Sequence, residues 1–244
     1  MTTDKIYENP AKEGPFRFND EVASVFPDML RRSIPGYAAT IEAIGSLAGR
    51  YVQSNTNCYD LGCSLGAATI AMRQGIRVPG CRIVAVDTAP AMTKRCKEII
   101  AEDDRRFSPP TRVDVLEADI RDVDIENATM VVLNYTLQFL AVDDRDVLIR
   151  AIHGGMNDGG LLVLSEKVVD ENAEMERLLV DLHHEHKRRN NYSSLEISRK
   201  RAALENVLVP ETVGVHRRRL RAAGFRHVAV WLRYFNFVSI VAIK

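Results

Sequence analysis

The amino-acid sequence predicts an α/β fold in which a mostly parallel sheet ends in a C-terminal antiparallel hairpin. Three observations lead to this fold class. Strand-like and helix-like segments alternate through the middle of the chain, as they do when helices cover a parallel sheet. A glycine-containing turn, CYDLGCSLGAAT at residues 58–69, follows the first of these strands. Two apolar segments near the C-terminus, HVAVWLRYF and FVSIVAIK, are separated only by a tight connection near Asn236.

The N-terminal part of the chain is expected to lie outside the sheet. Residues 1–16 are polar and are expected to form a flexible tail, and residues 17–52 are expected to form a helical lid. In the lid, Asn19 or Asp20 is suited to cap a helix, and Pro27 is expected to divide the segment into short helical pieces. After the turn SIPGY, helical periodicity predicts a further helix.

Five strands and three helices are expected to form the parallel part of the sheet. The strands are NCYDLG, CRIVAVD, VDVLEADI, TMVVLNY and LLVLSEK, in chain order. The helices are AATIAMRQGI, PAMTKRCKEIIAEDD and DDRDVLIRAIHGGM, and Pro90 suits the first turn of the second one. A loop is expected at residues 108–110, and a charged helical insert at residues 168–224. These elements are expected to form a single domain over residues 1–244.

The composition is that of an ordinary globular protein. Apolar residues make up 46% of the chain, which is enough for a sizeable core. The 33 basic and 33 acidic residues balance, so direct nucleic-acid binding is not expected to be required. The four cysteines include no C-x-x-C pair, and no apolar run is long enough to span a membrane. These features predict a cytoplasmic protein with reduced thiols and no membrane association.

The glycine turn has the spacing of a nucleoside-binding loop. Gly62, Ser64 and Gly66 follow a strand that ends near Asp60. Ser64 stands where a dinucleotide-binding G-x-G-x-x-G motif requires glycine, so a nicotinamide cofactor is disfavoured. The pattern instead resembles the loop of S-adenosylmethionine (SAM) methyltransferase-type proteins. Glycines in such a turn let the backbone approach a ligand closely.

Further polar residues stand at the ends of the next three strands. Asp87 follows the second strand, where a carboxylate can accept hydrogen bonds from both ribose hydroxyls. Asp119 is expected to end the third strand, and the same resemblance implies that an acid there, beside Ile120, meets the adenine amino group. Asn134 is expected to end the fourth strand, near the methionine end of the ligand. Because the carboxyl ends of parallel strands meet at one edge of the sheet, these residues predict a SAM pocket.

A closer resemblance covers nearly the whole chain from Phe18 onward. The segments that carry it are DEVASVFPDMLRRSIPGY, YDLGCSLGAAT, ADIRD, IENATMVVLNYTLQFL, LVLSEK and NNYSSLEISRKRAALENVL. Together they resemble the carboxy-S-adenosyl-L-methionine synthase family, which has a Rossmann-like, seven-stranded SAM-methyltransferase fold. The resemblance implies that SAM and prephenate are converted to carboxy-SAM and phenylpyruvate. It also implies a homodimer, and a tRNA carboxymethyltransferase partner that uses the product to make uridine-oxyacetic acid from hydroxylated wobble uridine.

The resemblance also assigns the ligand contacts. They fall on Tyr37, Gly62, Cys63, Ser64, Asp87, Thr88, Asp119, Ile120, Asn134 and Arg201. The family usually has asparagine where this chain has Thr88, so only the backbone part of that contact can be kept. Arg201 is assigned the catalytic role of meeting the carboxylate added to the sulfonium, because a guanidinium matches a carboxylate in shape and charge. The sequence leaves open whether Arg201 serves its own pocket or that of a neighbouring subunit.

Other candidate residues are not assigned to the site. Arg199 and Lys200 are expected to lie on a solvated helix face. The HHEH segment at residues 183–186 is expected to form a solvated or interfacial helix face, because no second ligand group follows it with the spacing of a zinc site. A role for one of these histidines toward prephenate stays open. The Cys63 thiol is expected to fill space, and no metal is expected.

Two other functions are compatible with the same pocket. A conventional SAM-dependent methyltransferase, acting on a small molecule or tRNA, would need no partner for a carboxylate. A non-catalytic SAM-binding protein that regulates tRNA modification would bind the nucleoside without turnover.

Overall fold

The structure is a computed structural model that describes residues 3–8, 14–107 and 111–244. Within these ranges the strands are β1 (Asn57–Leu61), β2 (Arg82–Asp87), β3 (Arg112–Glu117), β4 (Ala128–Asn134), β5 (Met156–Val169), β6 (Glu211–Thr212), β7 (His227–Tyr234) and β8 (Phe237–Ile243). Seven strands form one sheet in the order β3-β2-β1-β4-β5-β8-β7, and β6 pairs with β5 outside this order. β1 to β5 are parallel, and β8 is antiparallel to β5 and β7. The predicted parallel sheet with its C-terminal antiparallel hairpin is confirmed.

Eight α-helices are described. They are α1 (Asp20–Ser33), α2 (Tyr37–Tyr51), α3 (Ala67–Gly75), α4 (Pro90–Phe107), α5 (Val142–Gly155), α6 (Ala173–Arg189), α7 (Ser194–Leu204) and α8 (Val213–Ala222). A short 3-10 helix, Leu137–Phe139, follows β4. The predicted insert contains α6, α7, β6 and α8, and its first two residues belong to β5. No helix in the described ranges has the length and hydrophobicity needed to cross a lipid bilayer.

The core lies on both faces of the sheet because the side chains of the central strands alternate between them. On one face, Cys58, Met130 and Leu161 pack against α2 and α3 through residues such as Met72. On the other, Leu61, Leu133 and Leu164 pack against α5 and α8. All but the last residue of β4 are buried, as expected for a central strand. The sheet therefore holds its carboxyl edge rigidly between two helical layers.

The prediction of short helical pieces in the N-terminal segment is wrong. Asp20–Ser33 forms one helix that contains Pro27, and the Asn19 side chain caps it by accepting a hydrogen bond from the Val22 amide at 3.0 Å. Proline removes one backbone hydrogen bond from a helix interior. The cap and the burial of Phe26 and Met29 in a shared apolar cluster outweigh that loss.

The expected flexible tail is also wrong for the N-terminal residues that the structure describes. Asp4, Ile6, Tyr7 and Phe16 are buried, and the three apolar side chains belong to the same cluster as α1. The Tyr192 hydroxyl donates to the Asp4 carboxylate at 2.5 Å. These contacts hold the segment against α1 and against Tyr192, which precedes α7. Residues 1–2 and 9–13 of the expected tail, and the loop expected at 108–110, lie outside the described residues.

Candidate active site

A cavity of about 1790 Å³ lies beyond the carboxyl ends of β1 to β5, where the chain order of the sheet reverses between β1 and β4. Ligands of open α/β sheets bind at such a reversal point. Residues of α1, α2, α6 and α7 enclose the other side of the cavity. All ten predicted site residues line it, namely Tyr37, Gly62, Cys63, Ser64, Asp87, Thr88, Asp119, Ile120, Asn134 and Arg201.

The glycine loop after β1 is held in a conformation that requires glycine. Gly62 and Gly66 have φ angles of 85° and 83°, and Ser64 also lies in the left-handed region with φ 47°. A Cβ atom on Gly62 would overlap the Thr136 side chain. The Gly62 and Cys63 amides both donate to the Val86 carbonyl, at 2.8 and 2.9 Å. The loop therefore brings its backbone against the cavity between β2 and β4.

Asp60, just before the glycine loop, is fully enclosed. Its Oδ2 accepts a hydrogen bond from the Thr69 hydroxyl at 2.5 Å. Burial raises the pKa of Asp60 to about 6, and the nearby Asp87 carboxylate adds to this shift. Asp60 therefore braces the start of α3 against the end of β1.

Asp87 at the end of β2 joins the glycine loop to the start of α4. Its Oδ2 accepts from the Ser64 amide at 2.9 Å, and its Oδ1 accepts from the Ala89 amide at 2.9 Å. Burial raises the pKa of Asp87, while hydrogen bonds from backbone amides oppose that shift. Since a carboxylate has about four acceptor sites, both oxygens keep capacity for further donors from a ligand.

Asp119 does not end the third strand as predicted. β3 ends at Glu117, and Asp119 lies in the following turn, where its Oδ1 accepts from the Arg121 amide at 2.9 Å. The Arg121 guanidinium also pairs with this carboxylate at 2.6 Å and holds the pKa of Asp119 below its usual range. The chain therefore turns at Asp119 instead of continuing β3. Asp119 and Ile120 still line the cavity.

Asn134 and Tyr135 supply polar atoms without partners. Asn134 is the last residue of β4, as predicted. The Asn134 Oδ1 atom and the Tyr135 hydroxyl are buried and form no hydrogen bond with any residue that the structure describes. Buried polar atoms normally have a partner. A polar ligand in the cavity could supply it.

Tyr135 was missed by the sequence reasoning, although it directly follows a predicted strand-end residue. Its ring lies 6.4 Å from that of Tyr37 and 6.0 Å from that of Phe237, measured between ring centroids. All three residues line the cavity. They form an aromatic surface between the strand ends and α6.

Arg201 lies near the C-terminal end of α7, where its side chain lines the cavity and remains exposed to solvent. It forms no hydrogen bond or ion pair with the described residues. A solvent-facing guanidinium without a carboxylate partner is available to a ligand anion.

The two cationic residues before Arg201 do not lie on a solvated face, which corrects that expectation. Lys200 is buried, and its ammonium donates to the Ser33 hydroxyl at 3.0 Å and lies 3.7 Å from the Asp4 carboxylate. Arg199 is half-buried and donates to the Tyr7 carbonyl at 3.1 Å. The N-terminal segment packs on this side of α7 and covers it, which the sequence of α7 alone does not reveal.

The HHEH segment is partly buried rather than solvated, so that expectation is also wrong for its first residue. The His183 Nε2 atom lies 2.9 Å from the Ser33 carbonyl oxygen, so this nitrogen carries the proton. Burial lowers the pKa of His183 to about 2, and the nearby Lys187 ammonium lowers it further. His183, His184 and His186 line the cavity. No group of three or more His, Cys, Asp or Glu side chains in the described ranges is arranged to hold a metal ion.

Comparison with known proteins identifies the family. A family model described as a methyltransferase domain matches residues 59–162. The carboxy-S-adenosyl-L-methionine synthase of Aliivibrio fischeri (strain MJ11) is 52% identical over 242 residues, covering 99% of this chain and 98% of that protein. The chain belongs to the carboxy-S-adenosyl-L-methionine synthase family. The family member from Klebsiella pneumoniae (strain 342) is 51% identical and covers 99% of this chain and 96% of its own length.

Solved structures confirm the predicted methyltransferase-type fold of this synthase family member. Human N-acetylserotonin methyltransferase in complex with SAM has a TM-score of 0.60 at 20% identity, over 92% of this chain and 55% of that one. An O-methyltransferase family protein from Burkholderia thailandensis has a TM-score of 0.64 at 15% identity, over 93% and 60%. The chain thus spans little more than half the length of these structures. At such identities they establish the fold alone, and the assignment to an enzyme family that uses a SAM-type substrate rests on the synthase relatives.

Proposed function

We propose that this protein converts SAM and prephenate to carboxy-SAM and phenylpyruvate. The observation that carries the proposal is the division of one cavity into two chemically different halves. The strand ends supply acceptors and glycine backbone suited to a nucleoside, and α7 supplies the unpaired guanidinium of Arg201. The synthase relatives share this chain's length and half of its residues. A plain methyl donor would need no such cation.

The nucleoside half is proposed to hold the adenosyl group. The Asp87 carboxylate accepts two hydrogen bonds from backbone amides. Its remaining lone pairs accept hydrogen bonds from the ribose hydroxyls. Asp119 and Ile120 meet the adenine, and Asn134 offers its unpartnered Oδ1 to the ammonium of the methionine end. The remaining predicted contacts are made by Tyr37, Gly62, Cys63, Ser64 and Thr88.

The proposed reaction balances without an external oxidant or base. Prephenate loses carbon dioxide and its ring hydroxide as the ring becomes aromatic, which leaves phenylpyruvate. The hydroxide takes a proton from the sulfonium methyl group and leaves as water. The electron pair left on that carbon forms the new bond to carbon dioxide, and the carboxylate produced pairs with Arg201. Because bulk water would quench the carbanion, the helices that cover the cavity serve to exclude it.

The proposal includes the wider role implied by the family. The product serves a tRNA carboxymethyltransferase that modifies the wobble uridine, and the enzyme works as a homodimer in the cytoplasm. Exposed apolar side chains on α6 and α7, Met175, Leu178 and Leu195, support a subunit contact on this side of the molecule.

Mass spectrometry of the nucleoside product tests the proposed activity. The protein is incubated with SAM, with and without prephenate. We expect a nucleoside heavier than SAM by one carbon dioxide only when prephenate is present. Production of S-adenosylhomocysteine with an added acceptor, and no carboxylated product, would instead identify a conventional methyltransferase. SAM binding with no turnover under any condition would favour a non-catalytic SAM-binding protein.

The role of Arg201 is tested by Arg201→Met, with Arg217→Met as the matched control. Arg217 is exposed on α8 and does not line the cavity. We expect Arg201→Met to lower the rate of carboxy-SAM formation at least about a hundredfold, because a bidentate charged contact is lost. SAM affinity should change much less. A wild-type rate in Arg201→Met would show that the guanidinium does not hold the carboxylate.

A further inference from the structure

A group of cations from β5, α6 and α7 lines the cavity. Lys167 lies near the end of β5, and Lys187 lies in the last turn of α6. Arg201 comes from α7. β5, α6 and α7 follow one another along the chain, and their three cations, 14 to 34 residues apart in sequence, come together at the cavity when these elements pack. Sequence reasoning gave no role to either lysine.

Neither lysine has a partner that neutralises it. The ammonium groups of Lys167 and Lys187 form no hydrogen bond or ion pair with the described residues. This separates them from Lys200, which is bonded to the Ser33 hydroxyl. Of the two lysines, Lys187 is buried and Lys167 is half-buried. A desolvated ammonium without a partner is unfavourable, so its place in a cavity points to an anionic ligand.

The two nearby carboxylates accept hydrogen bonds from other donors and form no ion pair with either lysine among the described residues. Asp4, which attracts Lys187, accepts the Tyr192 hydroxyl at 2.5 Å and lies beside Lys200. The Glu176 carboxylate, which attracts Lys167, accepts a hydrogen bond from the Asp170 amide at 2.7 Å. The mutual repulsion of the cations therefore persists in the folded protein. Burial and the nearby cations Lys200 and Lys167 lower the pKa of Lys187 to about 7. Burial and the nearby Arg201 guanidinium also lower the pKa of Lys167.

An aromatic surface borders this group of cations. Phe237 lies between the rings of His183 and Tyr135, with centroid distances of 4.8 and 6.0 Å. The Tyr135 hydroxyl is buried without a partner among the described residues. The cavity therefore combines ammonium groups, a flat apolar surface and one free hydroxyl. This combination suits a carbocyclic acid that carries its carboxylate on a short chain.

We propose that Lys167 and Lys187 form a second anion-binding subsite, which holds the keto-acid carboxylate of the substrate while its ring lies against Tyr135 and Phe237. This inference rests on the proposed function and adds residues for the second substrate. Prephenate carries two carboxylates, and only the ring carboxylate is lost as carbon dioxide. The keto-acid carboxylate is retained in phenylpyruvate, so it stays on the lysines throughout the reaction. Arg201 is left free for the carboxylate formed on the sulfonium.

Substitution of each lysine tests the subsite. The variants are Lys167→Met and Lys187→Met, and Arg188→Met is the matched control, since Arg188 is exposed one residue further along α6 and does not line the cavity. We expect each lysine variant to raise the KM for prephenate and the inhibition constant of phenylpyruvate about tenfold or more, as for the loss of one charged hydrogen bond. The dissociation constant of SAM and all constants of Arg188→Met should change less than about twofold.

Two further measurements keep the test decisive. Lys187→Gln retains polarity and most of the side-chain length without the charge, and it should match Lys187→Met. Thermal melting should show that all variants fold, because the substitutions remove a desolvated charge. A wild-type KM for prephenate in Lys187→Gln would overturn the role of the charge. An equal loss of SAM affinity would overturn the assignment to the second substrate.

Equilibrium binding separates this inference from the proposed function. Phenylpyruvate is titrated into the protein in the presence of SAM, without any need for turnover. If the wild-type protein makes no carboxy-SAM but binds phenylpyruvate in a lysine-dependent way, the proposed function fails and the subsite stands. If carboxy-SAM is made and phenylpyruvate binding is the same in the lysine variants as in Arg188→Met, the subsite is wrong and the function stands.

Discussion

Arg145 provides a sharp test of how the cavity wall is held. This residue of α5 is fully buried, and its guanidinium reaches backbone carbonyls on two separate segments. It donates to the Gln138 and Leu140 carbonyls at 3.2 and 3.0 Å and to the Val209 carbonyl at 2.9 Å, and it pairs with Glu211 at 2.6 Å. Gln138 and Leu140 line the cavity. Arg145 therefore fixes the segment after β4 to the segment before β6.

The structure sets the expected cost of Arg145→Met. Glu211 keeps its ion pair with Arg219, at 2.8 Å, so no carboxylate is left unpaired. The Leu140 and Val209 carbonyls lose a charged donor in a partly buried position, which costs about 1 kcal/mol or more each. The Gln138 carbonyl keeps the Val209 amide as a donor at 2.9 Å. Because Glu211 stays paired, the loss lies at or below the lower end of the range of about 3–5 kcal/mol for breaking a buried ion pair. We therefore expect the free energy of unfolding to fall by about 3 kcal/mol.

Urea denaturation at fixed pH, monitored by circular dichroism, measures this loss. Arg150→Met is the control, because Arg150 is exposed on the same helix and its substitution should change the stability by less than about 0.5 kcal/mol. SAM affinity should also fall in Arg145→Met, since the freed segment forms part of the cavity wall. A loss below about 1 kcal/mol, or one equal to that of Arg150→Met, would refute the bracing role of the guanidinium.

Two further predictions concern a glycine and a buried acid. Gly155→Ala should lower the free energy of unfolding by about 2 kcal/mol in urea titrations, because its Cβ would overlap the Ile125 carbonyl oxygen. Its neighbour Gly154 has open space around it, so Gly154→Ala should be neutral or stabilising by up to about 1 kcal/mol, and equal effects would contradict the packing argument. Burial raises the pKa of Asp60 from 3.8 to about 6, so the acid form stabilises the fold at low pH and that stabilisation is lost as pH rises between these values. The stability of Asp60→Asn relative to wild type should thus rise by about 2 kcal/mol from pH 4 to 7, and a pH-independent difference would contradict the shift.

The sequence was sufficient to predict the sheet and the polar residues that gather at its carboxyl edge, because both depend on local patterns. Apolar runs marked the parallel strands, and the polar residue after each run had to reach the same edge of the sheet. Asp87 and Asn134 end their strands as predicted. The end of β3 was misplaced by two residues, because the turn at Asp119 depends on a side-chain pairing with Arg121 that strand periodicity does not encode.

The cationic half could not be predicted in the same way, because its residues meet through long-range packing. Lys200 is buried beside Asp4 and the Ser33 hydroxyl, and both of these residues are more than 160 positions away in sequence. His183 is buried against the end of α1, where the Ser33 carbonyl accepts a hydrogen bond from its ring at 2.9 Å. A helix rich in charge looks solvated when its neighbours are unknown. The flexible tail was predicted for the same reason, because the sequence does not show that the N-terminal residues pack against α1 and Tyr192.

The strand-end residues and the cations come from different parts of the chain, and this indicates which parts would change if the substrate changed. The strand ends offer mainly acceptors and backbone amides, which suit a sugar and a base but cannot neutralise a substrate with two carboxylates. Most of the cations therefore come from elements outside the parallel sheet: α6 and α7 of the insert supply Lys187 and Arg201, and Lys167 near the end of β5 adds a third. The N-terminal segment positions α7 by covering its other face through Asp4 and Tyr7. A change of substrate within this fold would thus be expected to alter the insert and the segment that packs on it, while the glycine loop and the strand-end residues stay the same.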